Sequence, residues 1–458
     1  MLRFLSGGAK LCNGVTRREV LRVGGHAALF GSLAGAVPLG GAEPDLLRVF
    51  GRAKSIIFIT LYGGPPQTET FDMKPDAPLE VRGPFKPIPS SVVDLHVCEH
   101  LPRLAKLAHL YTVVRSFSHT NTAHGGSLYT HLTGWPYPII NQNFPSTPED
   151  HPHYGAVVSA LKPPQDRVPA AAIVGGRILP QFDGIGQTGG YLGQAHSPFV
   201  VEGNPRALLT PKDETSTVRI RSRHRLLQEL QSVRSFLDKE RKAANFSVVQ
   251  DQALRLLDSK PFVSAFDLKQ EPDETRDRYG RHFLGEYVLL ARRLVEAGVP
   301  MIQVSDVPPG KEQQWDLHYS NIFTRLKDGL LPRLDQATSA LLTDLHERGL
   351  LDETLVVVGG EFGRTPWIDH LTDPPQGGRQ HWPFVYSTML AGGGVRRGEV
   401  FGASDEIAAY PISHKVAPWD LGATVLHLAG IDPRAQVTDR KGRLRPVCRG
   451  DVIRGILL

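Results

Sequence analysis

Residues 354–383 read TLVVVGGEFGRTPWIDHLTDPPQGGRQHWP, from Thr354 to Pro383. The opening run, Leu355-Val356-Val357-Val358, has no polar face and so predicts a strand buried on both sides, as in a parallel sheet. Gly359-Gly360 ends it. Glu361 and Arg364 then place a carboxylate and a guanidinium where strand gives way to loop, and a second glycine-rich loop leads to His381. In open α/β sheets, ligands gather just beyond the carboxyl ends of the strands. Glu361, Arg364 and His381 are therefore the first candidates for a site.

The same pattern recurs on either side of this stretch. Ser55 to Tyr62, Tyr111 to Phe117, Ala170 to Val174, Met301 to Val304 and Val385 to Leu390 are further short apolar runs, two of them closed by paired glycines. Helical spacing falls between them: Ser127 to Leu132, Tyr154 to Leu161, the stripe Tyr279, Phe283, Tyr287, Leu290 and Leu294, a helix from Pro332 to Gly349, and Asp420 to Ala429. Strand and helix in alternation predict an α/β fold, a doubly wound and mostly parallel sheet with helices on both faces, spanning residues 43–458. From about 204 to 260 the alternation is interrupted by a charged segment whose Leu226, Leu227, Leu230, Val233 and Leu237 form one stripe. It reads as a helical insertion packed over the sheet or lining a cleft rim.

Composition narrows the classes. With 458 residues, 41% of them hydrophobic, the chain can bury a sizeable core. Lys and Arg number 52 against 47 Asp and Glu, spread without long basic runs apart from Arg219 to Arg225, which argues against a nucleic-acid partner despite a pI near 9.0. Cys12, Cys98 and Cys448 have neither metal-ligand spacing nor a disulfide pattern. At the N-terminus, Thr16-Arg17-Arg18 precedes a weakly apolar, Gly/Ala-rich run ending near Ala42, the layout of a twin-arginine signal. Residues 1–42 are therefore expected to engage the twin-arginine export machinery, placing the protein in the periplasm or outside the cell. No later run reaches the ~18 apolar residues of a membrane span, so no stable span is expected.

Asp316, His318, Glu361 and His381, with His119 and His124, all follow predicted strand ends or, for His381, precede one. Imidazoles and carboxylates in such a set suit zinc, manganese or iron, and three or four are enough for one ion. Such an ion polarises an ester oxygen and lowers the pKa of water, while an arginine such as Arg364 offsets anionic charge. Asp316 alone could cap a turn, and His381 beside Trp382 could be a packed pair. His119 and Asn121 sit in a Ser/Thr/Asn-rich loop that could equally satisfy its own backbone.

Gly63-Gly64-Pro65 with Thr70-Phe71-Asp72, the stretch His119 to Gly134, Gly360-Glu361-Phe362-Gly363-Arg364-Thr365-Pro366, Gly378 to Pro383, and Asp420 to Leu428 resemble the bacterial exported proteins called domain of unknown function 1501. The resemblance implies the alkaline-phosphatase-like superfamily, with its sulfatases and phosphoglycerate mutases, and hence a two-metal site. It makes Asp316 and His318 the first ligand pair, Glu361 the acidic member of a second, and His381 the last ligand. Departures accompany it. The first strand ends in Gly63-Gly64 without an Asp, Phe362 replaces a His, and His124 occupies the nucleophile's place.

The resulting expectation is an exported hydrolase of phosphate or sulfate esters, including those on glycans, using a metal-activated water. Asp316, His318, Glu361 and His381 would bind the metal, with His119 and Asn121 as additional members. Arg364 would hold the ester, and His124 would act as acid, base or further ligand. Zinc is the metal expected, with manganese, iron or calcium as alternatives. The competing expectation is a non-catalytic cell-envelope or glycan-binding protein on the same fold.

Overall fold

In the computed structural model, the described residues are 46–139, 145–164, 168–202, 256, 259–308, 314–318, 321–372 and 376–458, all within one compact unit. The export segment and nearly all of the expected insertion lie outside them. Eight strands form the central sheet: β1 (Ser55–Thr60), β2 (Tyr111–Phe117), β3 (Ala171–Val174), β4 (Phe199–Val201), β5 (Met301–Ser305), β6 (Thr354–Gly359), β7 (Tyr386–Ala391) and β8 (Glu399–Phe401). Their order is β8-β2-β7-β6-β1-β5-β3-β4. Every pairing is parallel except the two made by β7, which runs against both β2 and β6.

The β6 run pairs residue for residue with β1, from Ser55 opposite Thr354 to Thr60 opposite Gly359, and every residue of both strands is buried. Alternate side chains of a strand point to opposite faces, so each strand feeds two cores. Ile57, Ile59, Ile302, Val304, Val356 and Val358 pack under helices α3 (Phe283–Glu296) and α4 (Leu331–Glu347). Ile56, Phe58, Met301, Leu355 and Val357 pack under α1 (His124–Thr133), the start of α2 (Tyr154–Leu161) and α5 (Pro418–Leu428). Helices on both faces explain why these strands carry no polar alternation.

One helical expectation is corrected. The stripe from Tyr279 to Leu294 is broken into Asp273–Tyr279 and α3, because Gly280 ends the first piece at φ +97 and the His282 side chain caps the second. Among the described residues, no helix is long and apolar enough to cross a membrane.

Candidate metal centre

Four loops converge at the edge where β1, β2, β5 and β6 end. Beyond β1, Gly63 adopts φ +117 and lies so close to the segment 314–318 that a Cβ there would stand 2.4 Å from the Asp316 amide nitrogen. Glycine alone permits that approach. After β5, buried Asp306 accepts the Trp315 indole N–H at 2.8 Å and the Arg333 guanidinium at 3.0 Å, anchoring the segment that presents Asp316 and His318. After β2 comes His124, the first residue of α1. Beyond β6, Gly363–Arg364 pairs antiparallel with His381–Trp382 as a two-residue ribbon, with His381 opposite Arg364.

These loops bring His124, Asp316, His318 and His381 together, one ligand-type atom from each lying within 4.8 Å of all the others. Each imidazole is oriented from behind. His124 Nδ1 donates to Glu361 Oε1 at 2.7 Å, and His381 Nδ1 donates to the Thr122 carbonyl at 2.7 Å. The Gln380 amide gives its Nε2 to Asp369 at 2.8 Å, so its oxygen faces His318 Nδ1, which donates across 2.7 Å. With all three Nδ1 atoms protonated, the three Nε2 lone pairs point inward.

The inward atoms are all acceptors. His318 Nε2 lies 2.8 Å from His381 Nε2 and 2.7 Å from Asp316 Oδ1. Buried His124 Nε2 lies 3.3 Å from Asp316 Oδ2 and has no hydrogen-bond partner among the described residues. Lone pairs facing one another and a carboxylate suit a shared cation, and three imidazole nitrogens with one carboxylate oxygen match the number and kind of ligands that zinc takes. Orientation of each ligating imidazole by an outer acceptor is the usual support of such sites. Calcium is excluded as a fit, since it takes six to eight oxygens.

Charges follow the same geometry. Burial opposes ionisation of Asp316, but the three histidines set against it and the Arg364 charge hold its carboxyl far below the usual range. For His124, burial works against charging, yet the nearby Asp316 and Glu361 carboxylates leave its pKa raised. Burial keeps His381 below its ordinary value.

Glu361 and Arg364 do not take the parts expected of them. Fully buried Glu361 stands behind His124 and accepts the Gly63 N–H at 3.0 Å, so it positions an imidazole and does not join the ligand group. Arg364 is 0% exposed; its guanidinium bonds to the carbonyls of Gly63, Gly64, Trp315 and Arg379 and to Asp316 Oδ1 at 2.5 Å. It fastens loops and fixes Asp316, and cannot reach a bound ester. His119 Nε2 donates to the Glu361 carbonyl at 2.7 Å, and Asn121 Oδ1 accepts the Ala123 N–H at 3.0 Å; both are loop supports outside the group. Phe362 packs on the rings of His124 and His381 at 4.9 and 4.6 Å, and Gly64 is small because a Cβ there would meet that phenyl ring at 2.7 Å. Asp306, Thr122 and Gln380, absent from the sequence candidates, act through backbone carbonyls or through contacts with no characteristic spacing.

The family described as Protein of unknown function (DUF1501) matches residues 53–457. The chain belongs to the DUF1501 family. No curated protein matches this DUF1501 chain. Solved structures similar to it include the PsFucS1 sulfatase from Pseudoalteromonas sp., at 14% identity and TM-score 0.35, covering 88% of this chain and 75% of that one. An alkaline phosphatase from the Antarctic bacterium TAB5 is similar at 10% identity and TM-score 0.37, covering 82% and 98%. A phosphonate monoester hydrolase from Silicibacter pomeroyi is similar at 13% and 0.35, covering 88% and 76%.

In this DUF1501 protein, Glu361→Gln is expected to weaken the binding of an added divalent metal by about 10–100-fold, the usual cost of losing an outer partner of a ligating histidine. Competition with a chromophoric chelator measures it, and an unchanged affinity would remove Glu361 from the support of His124.

Proposed function

We propose that this protein is an exported, metal-dependent hydrolase of phosphate or sulfate esters. The observation that carries the reading is the convergence of three oriented imidazole Nε2 atoms and the Asp316 carboxylate. A divalent ion held there, zinc by preference with manganese or iron as alternatives, polarises an ester oxygen and lowers the pKa of water. His124, Asp316, His318 and His381 hold it. Arg364 keeps Asp316 ionised and fixed, Glu361 holds the His124 tautomer, and Phe362 closes the inner side against solvent. His318, His381 and Asp316 keep part of their surface open, so substrate approaches from their side. Among the described residues these four side chains offer no hydroxyl or thiol, and water is the nucleophile of this reading.

The test combines metal analysis with turnover of aryl phosphate, sulfate and phosphonate esters. The His381→Ala protein is expected to lose at least 100-fold in kcat/KM; equal turnover would exclude His381. A second reading, a non-catalytic binding protein, is favoured by the number of ligands, because four side chains can fill all four places of a tetrahedral ion. One metal per chain with no turnover on that panel selects it.

A further inference from the structure

On an extended ribbon, successive side chains point to opposite faces. His381 therefore faces the metal centre while Trp382 faces outward, where four aromatic rings pack together. The Trp382 ring meets Trp367, Phe384 and Tyr410 at centroid distances of 5.3, 4.9 and 5.7 Å, each near edge to face, and Phe384 and Tyr410 are 5.8 Å apart. Trp367 is 44% and Tyr410 51% exposed, with the other two half-buried. Exposed apolar clusters of this kind mark binding surfaces.

The rings are rigidly mounted. The Trp382 indole donates to the Ala409 carbonyl at 2.6 Å. The turn carrying Tyr410 is wound around the Asp405 carboxylate, which accepts the N–H groups of Ala409 at 2.7 Å and Tyr410 at 3.1 Å. Gln67 Nε2 bridges the carbonyls of Ala408 and Arg364, tying that turn to the strand beside the metal centre. Arg379 holds the carbonyls of Thr365 and Pro366, just before Trp367, and is itself paired with buried Glu69 at 2.5 Å. Preorganised aromatic side chains bind with little ordering cost.

Size and chemistry choose the occupant. Taking roughly 200–250 Å² for a whole ring side chain, the four together expose on the order of 300 Å², well short of the ~800 Å² each partner buries in a stable protein complex. The rings touch one another, leaving no gap between them for a quaternary ammonium. Among the described residues the Trp367 indole N–H and the Tyr410 hydroxyl have no hydrogen-bond partner, so the surface offers apolar ring faces rimmed by polar groups. A sugar ring has the complementary form, one face of C–H groups and a rim of hydroxyls.

We propose that Trp367, Trp382, Phe384 and Tyr410 form a stacking platform for a sugar ring of a glycan. Its ester-bearing unit reaches the metal centre around the edge of the ribbon. The role of the glycan as substrate rests on the hydrolase reading, whereas the binding does not.

Affinity electrophoresis of the full protein, with and without EDTA, in gels containing heparin, kappa-carrageenan, dextran sulfate or unsulfated dextran is the test. Small-ester turnover is measured in parallel. Retardation by at least one polysaccharide in both buffers, at least tenfold weaker for W367A/Y410A, is expected, with kcat on a small ester unchanged in that variant. Absence of retardation in all four gels, or equal retardation of the variant, overturns the platform. So does concentration-dependent self-association abolished by W367A/Y410A, which would make the patch an interface between copies. Absence of ester turnover with platform-dependent retardation overturns the hydrolase reading alone.

Discussion

Between pH 6.5 and pH 4 the protein is expected to lose most of its folding stability. His119, His131 and His153 are buried, and burial lowers their pKa from 6.5 to about 4, about 3 and about 4, respectively. His131 packs edge to face on Phe58 at 4.9 Å, and His153 uses its Nδ1 to accept the Gly155 N–H at the start of α2. In the unfolded chain these imidazoles take up protons near pH 6.5, while in the folded chain they stay neutral until about pH 4. The unfolded state therefore binds more protons throughout that window, and stability falls as pH falls. A histidine moved from 6.5 to about 4 loses at most roughly 3 kcal/mol over the window. Three together are comparable with the ~5–15 kcal/mol that holds a typical domain folded. Asp316 adds to the same trend lower down, since its depressed folded pKa stabilises the protein above the ordinary carboxylate range and that contribution is lost as pH falls through it. Guanidinium midpoints at pH 7, 6, 5 and 4 give the slope, and a flat profile would mean that the three imidazoles are solvated.

Replacing Asp316 by alanine is expected to abolish stoichiometric binding of a divalent metal and to destabilise the fold by about 3–5 kcal/mol. The second effect arises because Arg364, 0% exposed, loses the carboxylate it pairs with at 2.5 Å, and breaking a buried pair leaves an uncompensated charge. Metal content by mass spectrometry and urea unfolding of the metal-free protein separate the two effects. Asp316→Asn keeps an oxygen for Arg364 and so should recover part of the stability while still failing to hold a divalent metal at full occupancy. If the metal-free alanine protein were as stable as the metal-free wild type, Arg364 would have found another partner and its fastening of the loops would not depend on Asp316.

Much of the sheet could be read directly from residue order. Tyr111–Phe117 is a strand and Tyr154–Leu161 a helix with the bounds that apolar spacing predicts, and the β6 run has the buried, parallel setting that its lack of a polar face implies. Strands β4 and β8 escaped because three-residue edge segments carry too little periodicity to separate from loop. At the site, residue type at strand ends located His124, Asp316, His318 and His381, since each element delivers its next residue to one edge. It could not distinguish Glu361 from them. A carboxylate just past a strand reads the same in sequence whether it faces the cavity or the back of an imidazole. Arg364 was misjudged for the same reason, because nothing in Glu-Phe-Gly-Arg reveals that four carbonyls surround the guanidinium.

The reversed direction of β7 has a consequence for how the third imidazole is supplied. His124, Asp316 and His318 come from chain leaving the sheet, whereas His381 comes from chain about to enter it. Were Tyr386–Ala391 parallel to its neighbours, its incoming end would sit at the opposite margin, some 20 Å away for six residues at about 3.3 Å each. One inverted strand thus lets departing and arriving backbone meet at a common point. A rearrangement that flipped it would dismantle the centre without altering a single ligand.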